Sequence, residues 1–164
     1  MEIRSERPTD VAAISYLTTA AFKTAPHSSG TEARIIEGLR ALKALTISLV
    51  AVDQDEIVGH VAFSPVTIAG VRGDWYGLGP VSISPEHQNR GIGQSLIRAG
   101  LEQLRLLQAA GCVVLGDPRY YQRFGFESDP ALTYGGNTSP YFRRLILGGP
   151  PATGDVAYHS AFEA

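Results

Sequence analysis

The chain has 164 residues, of which 44% are hydrophobic and 18% are charged, and its formal net charge is −2. These values are typical of one ordinary globular domain, so we expect a single domain over residues 1–164. The small negative charge and the lack of a basic cluster give no reason to expect a nucleic-acid partner. A single cysteine excludes an internal disulfide. The N-terminal residues contain no apolar signal core, and no apolar run reaches the roughly 20 residues that span a bilayer. We therefore expect a cytoplasmic protein without a membrane partner.

Two helices are predicted in the N-terminal quarter of the chain. Thr9 and Asp10 can cap a helix that runs to about residue 22, and its apolar stripe consists of Val11, Ile14, Leu17 and Ala21. Residues 23–30 form a loop. Thr31 can cap a second helix, and its apolar face consists of Ile35, Ile36, Leu39 and Leu42.

Three strands are predicted next. Residues 47–52 and 57–64 are separated by a short polar turn, which favours an antiparallel hairpin. After a turn at residues 69–74, a third strand covers residues 75–83 and continues the meander.

A strand–helix–strand unit follows the meander. Residues 94–109 have the pattern of an amphipathic helix that buries Leu96, Ile97, Leu101, Leu104 and Leu107, and Gly111 is expected to end it as a left-handed C-cap. The apolar run 112–115 predicts a buried strand parallel to residues 75–83, joined to it by a right-handed crossover. A short helix is expected over residues 119–124. The last two strands are expected from residue 126 onward and over residues 156–162, with a loop at residues 148–151.

The turn between the strand at 75–83 and the long helix is the most informative segment. A strand that passes through a glycine-bearing turn into a helix exposes free backbone N–H groups at the positive end of the helix dipole, where a phosphate or pyrophosphate can bind. Gly-x-Gly alone is weak evidence, because 18 glycines predict about two such pairs by chance. Two occur, Gly77/Gly79 and Gly91/Gly93, and only the second pair has a strand before it and a long helix after it. No P-loop is present, and Leu96 stands where a dinucleotide fingerprint needs a third small residue.

Two motifs resemble those of one family. The pattern Ile83-x-Pro85-x-x-Gln88-x-x-Gly91-x-Gly93 resembles the acetyl-CoA motif of the GNAT superfamily of N-acetyltransferases. Downstream, the segment from Tyr121 to Phe126 is similar to the Tyr-x-x-x-Gly-Phe motif of the same family, with the same order and separation. The intervening segment Leu115-Gly116-Asp117-Pro118 is similar to one bacterial subgroup of predicted acetyltransferases.

The resemblance implies a fold and an activity. The fold is expected to be α/β (α+β), with a mixed, mostly antiparallel central sheet, helices on both faces and a splayed parallel strand pair. The activity is acetyl-CoA-dependent N-acetyl transfer, in which an acceptor amine attacks the thioester directly. The acceptor is expected to be a small-molecule or peptide amine. The oligomeric state is left open, and the exposed strand edges of this fold would allow a homodimer. The alternative is a non-catalytic module that binds or senses acyl-CoA.

The same resemblance assigns the cofactor contacts. The turn is expected to hold the pyrophosphate through backbone N–H groups, with Arg90 adding positive charge or standing free in solvent. The preceding strand is expected to pair with the pantetheine arm as another strand would. The expected cofactor-binding residues are Val81, Ser82, Ile83, Gln88, Asn89, Arg90, Gly91, Ile92, Gly93, Gln94 and Ser95.

Tyr121 is the expected catalytic acid. It occupies the tyrosine position of the second motif, and a phenol can protonate the departing thiolate. The alternative is a packing tyrosine whose hydroxyl is satisfied by the backbone. Tyr120 is expected to pack, and Asp117 to cap the short helix more readily than to orient an amine.

No dedicated general base is predicted. Many family members place a glutamate on the strand before the phosphate turn, whereas residues 75–83 contain no carboxylate. His60 on the neighbouring strand is more consistent with a structural role, although it could act as a base. His27 could line the acceptor pocket, but a solvent-exposed histidine is favoured there. Cys112 is expected to be buried and inert, and no spaced cluster of ligands suggests a metal.

Overall fold

The computed structural model describes residues 1–26 and 28–164, so His27 and its predicted role in the acceptor pocket lie outside the described residues. The helices and strands occur in the following order: β1 (Glu2–Ser5), α1 (Val11–Phe22), α2 (Glu32–Ala41), β2 (Ile47–Asp53), β3 (Glu56–Ile68), β4 (Val71–Ile83), α3 (Ile92–Leu106), β5 (Gly111–Leu115), α4 (Pro118–Tyr121), β6 (Leu132–Tyr134), β7 (Phe142–Ile146) and β8 (Gly154–Ala157).

The strands form a single mixed sheet. Its main path has the order β1-β2-β3-β4-β5-β7, and β8 pairs with both β3 and β6. Pairing is antiparallel except between β4 and β5 and between β6 and β8, which are parallel. The predicted mixed, mostly antiparallel sheet with a parallel pair is therefore confirmed.

The helices cover both faces of the sheet, as predicted. On one face, here called the α3 face, α3 buries four of its five predicted core residues against β2 and β3, in one cluster with Leu49, Val61 and Phe63. On the other, here called the α1 face, Ile14 of α1 and Ile36 of α2 pack on Val50. Alternation along each strand sends neighbouring residues to opposite faces, so the face of any strand residue follows from its position.

Three predictions about helix ends and faces are wrong. Leu42 and Leu107 are 60% and 56% exposed, because each lies just past the end of its helix, where the helical periodicity no longer applies. Gly111 does not cap α3. The helix ends at Leu106, the left-handed residue is Gln108 with φ of 61°, and Gly111 opens β5 under the ring of Trp75.

The C-terminal strands also differ from the prediction. The segment after residue 126 contains two short strands, β6 and β7, and residues 156–162 divide into the end of β8 and a 3-10 helix at Ser160–Glu163. The strand β1 was not predicted. These strands have three to five residues each, which is too short for their alternation to stand out from the surrounding loops.

Candidate active site

β4 and β5 separate part of the way along their length, which creates the cleft of the candidate site. They pair only through Trp75 with Gly111, Tyr76 with Cys112, and Gly77 with Val113. Beyond Gly77, β4 continues to Ile83 with β3 on one edge, and within the described part of the chain no strand pairs with the edge toward β5. The predicted splay of the parallel pair is present, and it leaves a row of backbone groups on β4 open to another extended chain.

A bulge in β4 lies next to the point of separation. Leu78 pairs with Phe63 and Val81 pairs with Val61, so Gly79 and Pro80 together face Ala62 alone. Gly79 has φ of 129°, a conformation that side-chain-bearing residues rarely adopt. A bulge bends and twists its strand, and this one lies directly after the last residue of β4 that pairs with β5.

The turn after β4 leads into the N-terminus of α3. Gly91 is the N-cap of this 15-residue helix, has φ of 80°, and offers no side chain to cap it. The N–H groups of Ile92, Gly93 and Gln94 lie in the first turn, where a helix offers no internal acceptor. An anion placed there would meet these donors and the positive end of the helix dipole, and no carboxylate occupies the first turn.

The side chains of the predicted cofactor-binding residues lie in three kinds of environment. Those of Val81, Ile83 and Ile92 pack in the core of the α3 face, so these residues can offer a cofactor only their backbone groups. Ser82 is 1% exposed on the opposite face, where its hydroxyl donates to Thr18 Oγ1 at 3.2 Å. Gly93 and Gln94 are half-buried in the first turn of α3. The exposed residues are Gln88, Asn89, Arg90, Gly91 and Ser95.

Tyr121 lies in α4, shortly after β5, and packs on the α3 face of the sheet. Its ring packs over Gly116, where a Cβ would collide with it, and edge-to-face against Phe126 with ring centroids 6.0 Å apart. Burial raises the pKa of Tyr121, and the neighbouring Tyr120 and Cys112 raise it further. The phenol is therefore protonated at neutral pH and can donate a proton or a hydrogen bond.

Tyr120 does more than pack, which the sequence reasoning missed. Its ring makes the expected edge-to-face contact with Tyr121 at 5.0 Å, but its hydroxyl reaches the first turn of α3. A Cβ on Gly93 would lie 3.2 Å from the Tyr120 hydroxyl oxygen. Arg123 holds this tyrosine through two contacts. Its guanidinium lies 4.5 Å from the ring centroid, and its Nε donates a hydrogen bond to the Tyr120 carbonyl. The phosphate turn thus has a side-chain hydroxyl beside it.

Asp117 caps α4, as predicted. Its Oδ1 accepts a hydrogen bond of 2.9 Å from the Arg119 N–H, and this bond is the first cause that lowers the pKa of Asp117. Cys112 is fully buried, and burial raises the pKa of its thiol, so it is not a reactive thiolate.

His60 is completely buried on the α1 face and belongs to a polar network. Its Nε2 lies 2.7 Å from the hydroxyl of Ser48, which in turn donates to Glu6. Arg40 grips the Glu6 carboxylate with two bonds of 2.9 Å. Burial lowers the pKa of His60 to about 4, so the ring is neutral and a poor proton acceptor at neutral pH.

β4 is longer than predicted and does contain one carboxylate. It begins at Val71 rather than residue 75, so it includes Asp74. This side chain is exposed and lies three residues before Gly77, in the part of the strand that precedes the cleft. Asp74 is therefore not placed to act as the missing base.

The described residues contain neither a metal site nor a membrane-spanning helix. Across residues 1–26 and 28–164, no three His, Cys, Asp or Glu side chains are grouped so that they could hold a metal ion. In the same part of the chain, every helix is too short or too polar to cross a membrane.

A family sequence model, a relative in sequence and two solved structures all identify the same family. The sequence model of the acetyltransferase (GNAT) domain matches residues 2–128. The uncharacterized N-acetyltransferase YhbS of Escherichia coli K12 is 36% identical over 171 aligned positions, covering 99% of this chain and 98% of that protein.

Two solved structures agree over almost the whole chain. A GNAT family acetyltransferase from Brucella melitensis, in complex with acetyl-CoA, has 50% identity and a TM-score of 0.88, with 98% of this chain and 97% of that one covered. E. coli YhbS in complex with CoA has 34% identity and a TM-score of 0.90, with 99% and 92% covered. The chain belongs to the GNAT family of acetyltransferases.

Proposed function

We propose that this protein is an acetyl-CoA-dependent N-acetyltransferase in which an acceptor amine attacks the thioester directly. The observation that carries the proposal is the continuity of the cleft. The unpaired edge of β4 leads straight into the uncapped N-terminus of α3, and Tyr121, in the segment that follows β5, packs on the α3 face. The order of these features along the cleft suits acetyl-CoA, whose extended, amide-bearing pantetheine arm has a pyrophosphate at one end and a thioester at the other. The acetyl-CoA and CoA bound to the two relatives support this choice of cosubstrate.

Each part of the cofactor has a place in this arrangement. The pyrophosphate would accept hydrogen bonds from backbone N–H groups between Gln88 and Ser95, with Arg90 supplying charge from the exposed turn. The pantetheine amides would pair with the backbone of β4 from Val81 to Ile83. The Tyr120 hydroxyl, beside Gly93, would add a contact between these two regions.

The chemistry then requires little more than positioning and one acid. The amine nitrogen bonds to the thioester carbon, the tetrahedral intermediate collapses, and the carbon–sulfur bond breaks. The departing thiolate takes a proton from the Tyr121 hydroxyl, which its buried site keeps protonated. The proton that the amine loses goes to water, since none of the side chains in residues 1–26 and 28–164 is placed at the cleft as a base, and solvent reprotonates Tyr121.

Several broader properties accompany this proposal. We assign residues 1–164 to a single N-acetyltransferase domain with a small-molecule or peptide amine as acceptor. The lone thiol suits a reducing compartment, which supports the cytoplasm as the location. The strands at the two ends of the main sheet path, β1 and β7, offer edges through which a homodimer could form.

The direct test is release of CoA thiol from acetyl-CoA in the presence of a panel of amines, peptide N-termini and lysine peptides. We expect amine-dependent thiol release by the wild-type protein and roughly hundredfold slower release by Tyr121→Phe. Binding of acetyl-CoA without amine-dependent release across the panel would instead support the non-catalytic sensing module. Failure to bind acetyl-CoA would contradict both functions.

A further inference from the structure

Two buried hydroxyls without partners lie at the point where β4 leaves β5. Among the residues that the structure describes, the buried side-chain polar atoms that lack a hydrogen-bond partner are His60 Nδ1, Ser64 Oγ, His87 Nδ1 and the Tyr158 hydroxyl. Ser64 and Tyr158 both flank Gly77. An unsatisfied buried hydroxyl costs folding free energy, so two at one position need a physical reason.

The register of the sheet fixes where Ser64 lies. It pairs with Gly77, and paired residues of antiparallel strands carry their side chains on the same face. Val66, two residues along β3, approaches the same face of Gly77, with its Cγ1 3.1 Å from where a Cβ would lie. The Ser64 hydroxyl is therefore on the α1 face, opposite Tyr121.

Tyr158 reaches the same spot from the C-terminal segment. It follows β8, which pairs with the far end of β3, and its ring crosses the sheet to lie over Gly77. A Cβ at Gly77 would be 2.5 Å from Cε1 and 2.8 Å from Cδ1 of Tyr158, so only glycine accommodates this ring. The ring is also held edge-to-face by Tyr134, with centroids 5.6 Å apart.

Gly77 is the last residue of β4 that pairs with β5. Tyr121 lies on one face of the sheet near this point, and Tyr158 lies on the other. Two phenols thus approach the vertex of the cleft from opposite sides, and the proposed function places the reacting thioester between them. Burial raises the pKa of Tyr158 well above its ordinary value, and the neighbouring Cys112, Tyr134 and Tyr121 raise it further, so its hydroxyl is a hydrogen-bond donor throughout the neutral range.

We propose that the Tyr158 hydroxyl donates a hydrogen bond to the carbonyl oxygen of the bound acetyl thioester, an inference that rests on the proposed function. Attack by the amine moves the carbonyl π electrons onto this oxygen, and a donor already in place stabilises the negative charge that develops. When the carbon–sulfur bond breaks, those electrons return to the carbonyl. The proton of Tyr158 stays on its own oxygen, and the proton for sulfur comes from Tyr121.

The test needs no knowledge of the acceptor, because CoA lacks the acetyl carbonyl. The affinities of acetyl-CoA and of CoA are measured by titration calorimetry for the wild type, Tyr158→Phe and the matched control Tyr134→Phe. We expect Tyr158→Phe to weaken the binding of acetyl-CoA by about threefold to tenfold, as loss of one neutral hydrogen bond implies, and to leave the affinity for CoA unchanged. We expect Tyr134→Phe to change neither affinity. The melting temperature of unliganded Tyr158→Phe should equal or exceed that of the wild type, since an unpaired hydroxyl is removed.

Three results would overturn the inference. The ratio of the two affinities could stay at its wild-type value in Tyr158→Phe, or Tyr134→Phe could change it equally. The unliganded Tyr158→Phe protein could also melt at a lower temperature, which would mean that the hydroxyl already has a partner. If the wild type binds neither ligand, the proposed function itself has failed, and that outcome is distinguishable from all three.

Discussion

The buried histidine of the α1 face should make the protein lose stability in mild acid. His60 has its pKa lowered from the ordinary value of 6.5 to about 4, chiefly by burial, with Arg40 acting in the same direction and Glu6 opposing it. The unfolded chain therefore binds a proton at this residue between pH 6.5 and about 4, whereas the folded chain does not. Stability contributed by neutral His60 is complete above pH 6.5 and is lost as the pH falls toward 4.

The size of the effect follows from the two pKa values. The interval from 6.5 to about 4 corresponds to roughly 3 kcal/mol of unfolding free energy in all, of which about 2 kcal/mol is lost by pH 5. For a domain of this size, that loss lowers the melting temperature by about 4 to 8 °C. Measurement above pH 5 also keeps the result separate from Glu6, whose pKa is lowered from 4.5 and whose contribution is lost only in stronger acid.

Urea unfolding at pH 7.5, 6.5, 5.5 and 5.0 measures this dependence in the wild type and in His60→Gln. The glutamine amide can still donate to Ser48 but does not titrate, so we expect the variant to lose about 2 kcal/mol less than the wild type over this range. The readout is the change in unfolding free energy with pH, so a difference in absolute stability between the two proteins does not affect the test. Equal slopes in the two proteins would show that His60 titrates normally and that the reasoning from its burial is wrong.

Three further predictions concern the cleft. Tyr121→Phe should lower kcat by roughly a hundredfold and leave the Kd of acetyl-CoA nearly unchanged; an unaltered kcat, with chemistry shown to limit the rate, would make Tyr121 a packing residue. The transfer rate should rise with pH toward the pKa of the acceptor amine, without a plateau near pH 6 or 7. His60→Ala and Asp117→Ala should each lower the transfer rate by less than about tenfold, which is roughly 1.4 kcal/mol of barrier. A thousandfold lower rate in either folded variant would identify that residue as the base. Tyr120→Phe should raise the melting temperature more in the Gly93→Ala background than in the wild type, because a Cβ at position 93 would lie 3.2 Å from the Tyr120 hydroxyl oxygen; an equal effect in the two backgrounds would show that the contact is not strained.

The parts of the site that were predictable from sequence are those encoded in short, continuous motifs. The turn at Gly91 and the tyrosine at position 121 each belong to a local pattern, and the structure places Gly91 at the N-cap of α3 and Tyr121 in α4. The strand–helix–strand unit was predictable for the same reason, since α3 has a strong helical periodicity and is flanked by apolar strands. Its end was misplaced because Gln108 takes the left-handed conformation that glycine usually supplies.

The parts that were not predictable depend on contacts between distant segments. Tyr158 has no local signal, and its position over Gly77 exists only because β8 folds back onto β3. The Gly77/Gly79 pair had no context in sequence to separate it from chance. In the structure, Gly77 is required by the ring above it and Gly79 by its φ of 129° in the bulge.

The most direct test of the account is the thermal shift produced by acetyl-CoA in Gly91→Val, with Gly70→Val as its control. Both glycines have positive φ, 80° and 75°, with no atom within 4 Å of an added Cβ, so valine imposes the same backbone strain at each. Gly70 lies in the turn between β3 and β4, whereas Gly91 caps the helix that we assign to the pyrophosphate. We predict that acetyl-CoA raises the melting temperature of the wild type and of Gly70→Val but not of Gly91→Val. An undiminished shift in Gly91→Val, or a wild type that responds to NADH or ATP in preference to acetyl-CoA, would contradict the central claim.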